Sequence, residues 1–208
     1  RVKLYVPDYH SYPYTVEYQY EVKHKQNLII PSWTPEVSNN VSVEKSSFQF
    51  IAPLGTECRI ETKNYKGNIK EDKNEKTESK TWTVEQIAAR KDESYSPNPS
   101  LKRTNVLIVP KNFIYYGKEG NFSDWKEFGN WVSNSLLNKK EDLTEASKQK
   151  FIALTKNASS DKDKAKILYD YLQKNTRYIS IQIGIGGLEP FPASEVDRLG
   201  YGDCKALA

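Results

Sequence analysis

Of the two cysteines in the chain, Cys204 is the one whose surroundings offer chemistry. It follows Gly200, Tyr201, Gly202 and Asp203 and precedes Lys205, Ala206, Leu207 and Ala208. A glycine-punctuated turn therefore feeds residues that favour helix, with Asp203 suited to the cap position. A sulfur in the first turn of a helix faces backbone N–H groups that have no intrahelical acceptor. It also faces the positive end of the helix dipole, and both favour thiolate over thiol. Thiols so placed, with a neighbouring imidazolium, titrate at roughly 3.5–7.5 instead of about 8.5. The same N–H groups could receive the oxyanion formed when the sulfur attacks a carbonyl. The local pattern leaves two readings open: a small buried residue at a helix start, the commoner case, and a nucleophile for acyl transfer.

A thiol nucleophile needs a base, and the only histidines are His10 and His24, far upstream in a β-rich stretch. They read as surface or edge-strand residues, so the chain offers a candidate nucleophile without a general base. Gln182 and Tyr178 lie where an oxyanion donor could come from, but loop or core packing accounts for both. The run Gly184, Ile185, Gly186, Gly187 lacks the spacing that pyrophosphate binding needs and reads as a flexible loop near the site. Asp161, Asp163 and Asp170 are interspersed with lysines and show no metal-ligand spacing. No metal and no cofactor are expected. Asn40, Asn121 and Asn157 each head an Asn-X-Ser triplet, which carries meaning only in a glycosylating pathway.

These residues need a scaffold, and the chain of 208 residues is long enough for two ordinary domains. Its hydrophobic fraction of 37% and charged fraction of 28% are those of a folded protein, with 14 Tyr and 4 Trp supplying much of the apolar area. Thirty-one basic against 27 acidic residues leave a net charge of +4, a mixed surface and not the basic footprint of a nucleic-acid partner. No apolar run approaches the roughly 20 residues needed to span a bilayer, and no signal-peptide pattern is present. The chain starts at Arg1 and contains no Met, which reads as a processed or excised form. Cys58 and Cys204 are too far apart to predict a disulfide framework.

Residues 12–22 alternate, with Tyr12, Tyr14, Val16, Tyr18, Tyr20 and Val22 on one face, and predict a half-buried strand with a tyrosine core stripe. Short β-like runs follow at Leu28, Val41, Phe48, Cys58, Trp82 and Asn105, separated by Pro, Gly and Asn. Residues 66–80 form a charge-rich solvated hairpin or loop, residues 94–100 a second polar loop. Together they predict an antiparallel sandwich-like domain over residues 1–118, with the boundary at the glycines near Gly117 and Gly120. Residues 119–208 change to a helical period. Ser123 caps a helix carrying Trp125, Phe128, Val132 and Leu136; Thr144 opens a second; Asp161 opens a third. A short β-like run at residues 177–183 and a Gly/Pro loop as far as Gly202 complete an α+β chain.

Residues 167–208 resemble the front half of bacterial transglutaminase-like domains of the papain-like thiol clan: a helix ending near Arg177-Tyr178, a short strand, a Gly/Pro loop, then Gly202-Asp203-Cys204-Lys205 entering the nucleophile helix. The β-rich part, with its alternating tyrosines and the later Val106 to Pro110 run, is similar to the domain of unknown function that commonly precedes such domains in bacterial envelope proteins. The resemblance implies that Cys204 attacks an amide carbonyl of a protein or peptide, forming a thioester that water or an amine resolves. It also implies an extracytoplasmic, periplasmic or envelope-associated location. The family places its His and Asp partners on strands after the nucleophile helix, so a chain ending at Ala208 is expected to be an inactive fragment of an enzyme. Two other readings stand beside it: a non-catalytic interaction scaffold with a vestigial thiol fold, and a carbohydrate-binding module attached to a thiol domain. Neither hydrolysis nor transamidation is preferred.

Overall fold

The computed structural model describes residues 11–98 and 101–208. Its β-rich part is two antiparallel layers. In the first, β1 (Val43–Pro53) pairs with β4 (Thr77–Ile87) from Val43 opposite Ile87 to Pro53 opposite Thr77, and β3 (Lys70–Lys73) borders β4 on its other side. In the second, β2 (Cys58–Lys63) pairs with β5 (Asn105–Pro110). Alternation decides what lies between them: Phe48 and Phe50 of β1, Trp82 of β4, Cys58 and Ile60 of β2, and Val106 and Ile108 of β5 share one cluster. Phe48 stacks between Trp33 and Trp82, with ring centroids 6.2 and 5.8 Å away. Opposite-facing residues such as Arg59 and Ile51 are exposed. The charge-rich stretch is a hairpin joining β3 to β4, its turn held by the Asn74 side-chain oxygen, which accepts from the Lys76 and Thr77 N–H groups at 2.8 Å.

β5 runs almost directly into β6 (Asn112–Tyr115), which forms a hairpin with β7 (Lys118–Asn121). Tyr116 and Gly117, with φ of 47° and 87°, make the two-residue turn, a backbone that glycine adopts without steric cost. The position 118/119 expected as a domain boundary thus lies at the start of β7. A second core joins the two sides of it: Leu28, Phe113, Tyr115, Trp131 and Leu136 are buried together, with Ile185 and Leu188 packed against them.

Helix α1 (Trp125–Trp131) continues as a π-helical turn, Val132–Leu137. Its cap is Asp124 and not the expected Ser123: the Asp124 carboxylate accepts from the Glu127 N–H at 2.8 Å, while the Ser123 hydroxyl is turned back to Asn121. α2 (Glu145–Thr155) starts at Thr144 as expected, and α3 (Asp161–Asn175) starts at a Ser160 cap. The chain closes with β8 (Arg177–Tyr178), a 3-10 turn at Gly184–Gly187, α4 (Ala193–Leu199), β9 (Tyr201–Gly202) and α5 (Cys204–Leu207). β8 and β9 pair in parallel.

The predicted strand at residues 12–22 is corrected. No ladder is formed there by the described residues, and Tyr12, Tyr14, Val16, Tyr18, Tyr20 and Val22 are all exposed. Two antiparallel bridges, Gln26 with Tyr115 and Trp33 with Val106, lay residues 26–33 along the β5–β6 edge that faces away from β2. Followed back toward the amino terminus, this path carries the chain past Tyr115 and the end of β6. The predicted Gly/Pro loop before Gly202 also contains helix α4, and the predicted flexible Gly184–Gly187 loop is a 3-10 turn whose Gly184 carbonyl accepts from the Tyr115 hydroxyl at 3.2 Å.

Candidate functional site

Cys204 is reached through α4, and α4 is held at both ends. At its start the Asp142 carboxylate accepts from the Ser194 N–H at 3.1 Å and the Ser194 hydroxyl at 2.7 Å, capping the helix from a distant loop. On its flank the Asp197 carboxylate accepts from the Lys150 ammonium at 2.7 Å and the Ser147 hydroxyl at 2.6 Å, both on α2, and from the Tyr171 hydroxyl of α3 at 3.4 Å. The Lys150 and Ser147 contacts hold Asp197 below the usual carboxylate range, and Lys150 is raised in return by Asp197 and Tyr171. At its end, Gly200 takes the left-handed conformation (φ 65°), donating its N–H to the Val196 carbonyl at 2.9 Å. A side chain at Gly200 would also place its Cβ 3.0 Å from the Asn175 carbonyl oxygen.

From Gly200 the chain is clamped against β8. The Arg177 N–H donates to the Gly200 carbonyl and the Ile179 N–H to the Gly202 carbonyl, each at 3.0 Å. Asp203 follows, 4% exposed, as the cap of α5. Its carboxylate accepts from the Lys205 N–H at 3.1 Å and the Ala206 N–H at 3.2 Å, and it forms an ion pair with the Lys205 ammonium. Burial pushes the Asp203 carboxyl up, but the Lys205 charge and these N–H donors outweigh it and hold the group below its ordinary value.

Cys204 is the first residue of α5 and its side chain is exposed. The expectation that several first-turn N–H groups stand ready for an oxyanion needs correction. Asp203 occupies those of Lys205 and Ala206, so the Cys204 N–H is the first-turn donor left without an acceptor among the described residues. Tyr178 lies on β8 opposite Gly202, one strand away from the cap, and is exposed, as is Gln182. His24 is exposed in the segment that precedes the β5–β6 edge, and His10 lies outside the described residues.

The supporting residues Asp142, Ser147, Lys150 and Asp197 have no sequence signal: the bonds that tie α4 to Asp142, Ser147 and Lys150 span 47 to 52 positions. The other cysteine, Cys58, is half-buried in β2, and its thiol is pushed up first by burial and then by the negative charge of Glu78. Among the described residues no group of three or more His, Cys, Asp and Glu could hold a metal ion, and no helix is long and apolar enough to cross a membrane.

Residues 1–91 match a family described as a domain of unknown function with solved-structure structure, DUF3857. No curated protein matches the chain. Among solved structures, the chain is similar to the crystal structure of a “putative protease” from Parabacteroides distasonis ATCC 8503, at a TM-score of 0.57 and 16% identity, over 86% of this chain and 33% of that one. At that identity the likeness is one of fold, and the chain spans about a third of that protein's length.

Proposed function

We propose that this chain pairs a β-rich module, residues 1–118, with the opening helices of a transglutaminase-like thiol domain, residues 119–208, and that Cys204 is the nucleophile. The observation that carries the reading is an exposed sulfur at the first position of α5, set on a buried, doubly bonded Asp203 cap and a Gly200 turn clamped to β8. The fold-level likeness to a protein described as a protease supports it. The reaction is acyl transfer from a protein or peptide. The sulfur forms a bond to the amide carbon, the tetrahedral adduct expels the amine with a proton, and water or a second amine releases the acyl group from the thioester. The Cys204 N–H is the local donor for the oxyanion. The base and its orienting acid come from residues beyond Ala208 in this reading, and the location is the bacterial envelope.

Two measurements test it. The gene past the codon for Ala208 is expected to encode a His and then an Asp in strand-like surroundings. The full-length product is expected to hydrolyse a glutamine-containing protein substrate or join it to a labelled amine, with loss of roughly 10³-fold or more in Cys204→Ala. Activity untouched by that substitution, or a gene without the His, retires the enzyme and leaves the interaction scaffold as the better description.

A further inference from the structure

β2 has an open edge, and the main chain shows which groups lie on it. The Trp33 and Val106 N–H groups each donate to the other residue's carbonyl, at 3.1 and 3.0 Å, so the main-chain groups of Val106 point away from β2. Alternation along β5 then turns those of Asn105, Leu107 and Val109 toward β2, where they meet Lys63, Glu61 and Arg59. The N–H and C=O groups of Cys58, Ile60 and Thr62 therefore point to the other side, and among the described residues no strand pairs there. Beside that edge a groove of about 240 Å³, lined by Phe50, Cys58 and Ile60, separates β2 from Glu71, Asp72 and Lys73 of β3. A row of unpaired main-chain groups next to an apolar seam is a template for one more strand.

The outer face of the same strand carries charges of alternating sign. Glu57, Arg59, Glu61 and Lys63 are all exposed, and the Glu57 carbonyl still accepts from the Lys111 N–H at 2.9 Å, so the strand geometry begins one residue before β2. Charged side chains on an edge ordinarily discourage pairing. Here the order minus, plus, minus, plus reads plus, minus, plus, minus from the other end, so an antiparallel second copy carries its complement. With Ile60 opposite Ile60 of the second copy, Arg59 meets Glu61 and Glu57 meets Lys63, each pair occurring twice, while Cys58 meets Thr62 over the seam. A slip of two residues either way sets Arg59 against Arg59 or Glu61 against Glu61, and a slip of one turns the charged face into the seam. One register alone satisfies the main chain, the seam and the charges. The ion pairs that these residues already make, Glu61 with Lys63 at 3.3 Å and Glu57 with Lys111, are exposed and contribute little. Arg59 donates to the Ser123 carbonyl at 2.9 Å through one of its guanidinium nitrogens and has further N–H groups to offer.

We propose that two copies of this chain join β2 to β2 about a twofold axis through the Ile60 pair, making one continuous antiparallel sheet in the order β5, β2, β2, β5. Every outward N–H and C=O of Cys58, Ile60 and Thr62 then has a partner, because residues opposite one another in such pairs exchange both bonds. The axis stands perpendicular to the sheet, so both first layers stay on one side and the two grooves open toward each other. A second copy is favoured over a foreign strand because the charge order is complementary to itself, and an isologous contact of this kind closes at two copies. The contact is one strand edge per copy, smaller than a standard interface, so the dimer dissociates at micromolar concentration.

The 208-residue chain at about 200 μM should sediment as a dimer and dissociate on dilution; a monomer at that concentration overturns the proposal. Charge reversal tests the register at exposed positions, with circular dichroism to confirm folding. Arg59→Glu and Glu61→Arg should each weaken self-association about tenfold, since each sets like charges opposite one another twice. The two variants mixed, or both changes in one chain, should restore it. Single variants that dimerise like the parent, or a double variant that stays monomeric, overturn the register. A disulfide gives an independent reading. In a Cys204→Ser background, Thr62→Cys places a thiol opposite Cys58 of the second copy, about 5.5 Å away at Cα, which a disulfide can span. Within one chain the two positions lie too far apart along the extended strand to be bridged, so a bond between them joins two copies. Oxidation with copper phenanthroline should give a covalent dimer on a non-reducing gel, lost again when Cys58 is replaced by Ser. A dimer that does not cross-link, or that cross-links as well without Cys58, uses another surface and overturns the β2 pairing.

Discussion

The Lys150 ammonium on α2 donates to the Asp197 carboxylate on α4 at 2.7 Å, and this pair ties the helical layer to the segment that delivers Cys204. Asp197 has a lowered folded-state pKa, so its contribution is present above the ordinary carboxylate value of about 3.9 and is lost as pH falls through the folded value. Lys150 is raised, so its contribution is present below about 10.4 and is lost as pH climbs through its own folded value. Between these limits stability should be flat with respect to this pair. Asp197→Asn should reduce the melting temperature at pH 7 and flatten the acid side of the profile, read by circular dichroism from pH 2 to 8. A variant that keeps the parent's acid slope would show that the pair contributes nothing to it.

The two thiols should separate cleanly by reactivity. Cys204 is exposed, whereas Cys58 is half-buried in the sandwich and pushed up by burial and by Glu78. One equivalent of iodoacetamide at pH 7.5 should label Cys204, with Cys58 modified at least about tenfold more slowly until the chain is unfolded. Peptide mapping by mass spectrometry reads the ratio. Equal labelling in the folded chain would mean that the seam around Cys58 is open to solvent more than the packing of Phe50 and Ile60 allows.

The layers of the sandwich were legible because burial on one face imprints alternation, as at Phe48, Phe50 and Ile60. At residues 12–22 the alternation is as regular, and there the described residues form no ladder. Alternation records that a segment is fit to pair, but the pairing partner is a property of the whole chain, and here residues 26–33 take the path along β5 and β6. Hairpin β6–β7 was hidden for a different reason. Its Gly117 and Gly120 look like linker glycines, yet one closes a two-residue turn and the other lies beneath aromatic rings. Helix α4 is seven residues long, too short for its apolar period to register, although Glu195 in its first turn, Arg198 in its last and Gly200 after it are ordinary helix punctuation. At the candidate site the Asp203 cap was readable, because capping is local. That the cap consumes the Lys205 and Ala206 donors needed the three-dimensional arrangement.

Gly120 is predicted to be intolerant of any side chain. A Cβ there would stand 2.3 Å from the Phe113 ring and 2.7 Å from Trp131 Cδ1, in the core that joins the hairpin to α1. Neither ring is the free end of a flexible chain, so Gly120→Ala should cost about 1–3 kcal/mol through overpacking. Gly129→Ala is the control: nothing lies within 4 Å of its added Cβ, and helix propensity makes it neutral or stabilising by up to about 1 kcal/mol. Urea unfolding of the two variants measures the difference. Similar midpoints would show that the Phe113–Trp131 contact yields more readily than its T-shaped packing at 4.8 Å implies.

Replacing Asp203 by Ala removes the acceptor of the Lys205 and Ala206 N–H groups and strips the Lys205 ammonium, whose side chain is 23% exposed, of its partner. Loss of an N-cap costs about 1 kcal/mol, which corresponds to about a fivefold rise in the local opening that lets an amide exchange. Hydrogen exchange at Lys205 and Ala206 should therefore accelerate about fivefold in Asp203→Ala, with Asp203→Asn, which keeps a carbonyl oxygen, close to the parent. The same substitution frees two first-turn donors beside the sulfur, at the expense of a frayed helix. If exchange at the two amides does not change, the cap is not what orders α5, and the Gly200 turn against β8 must position Cys204 by itself.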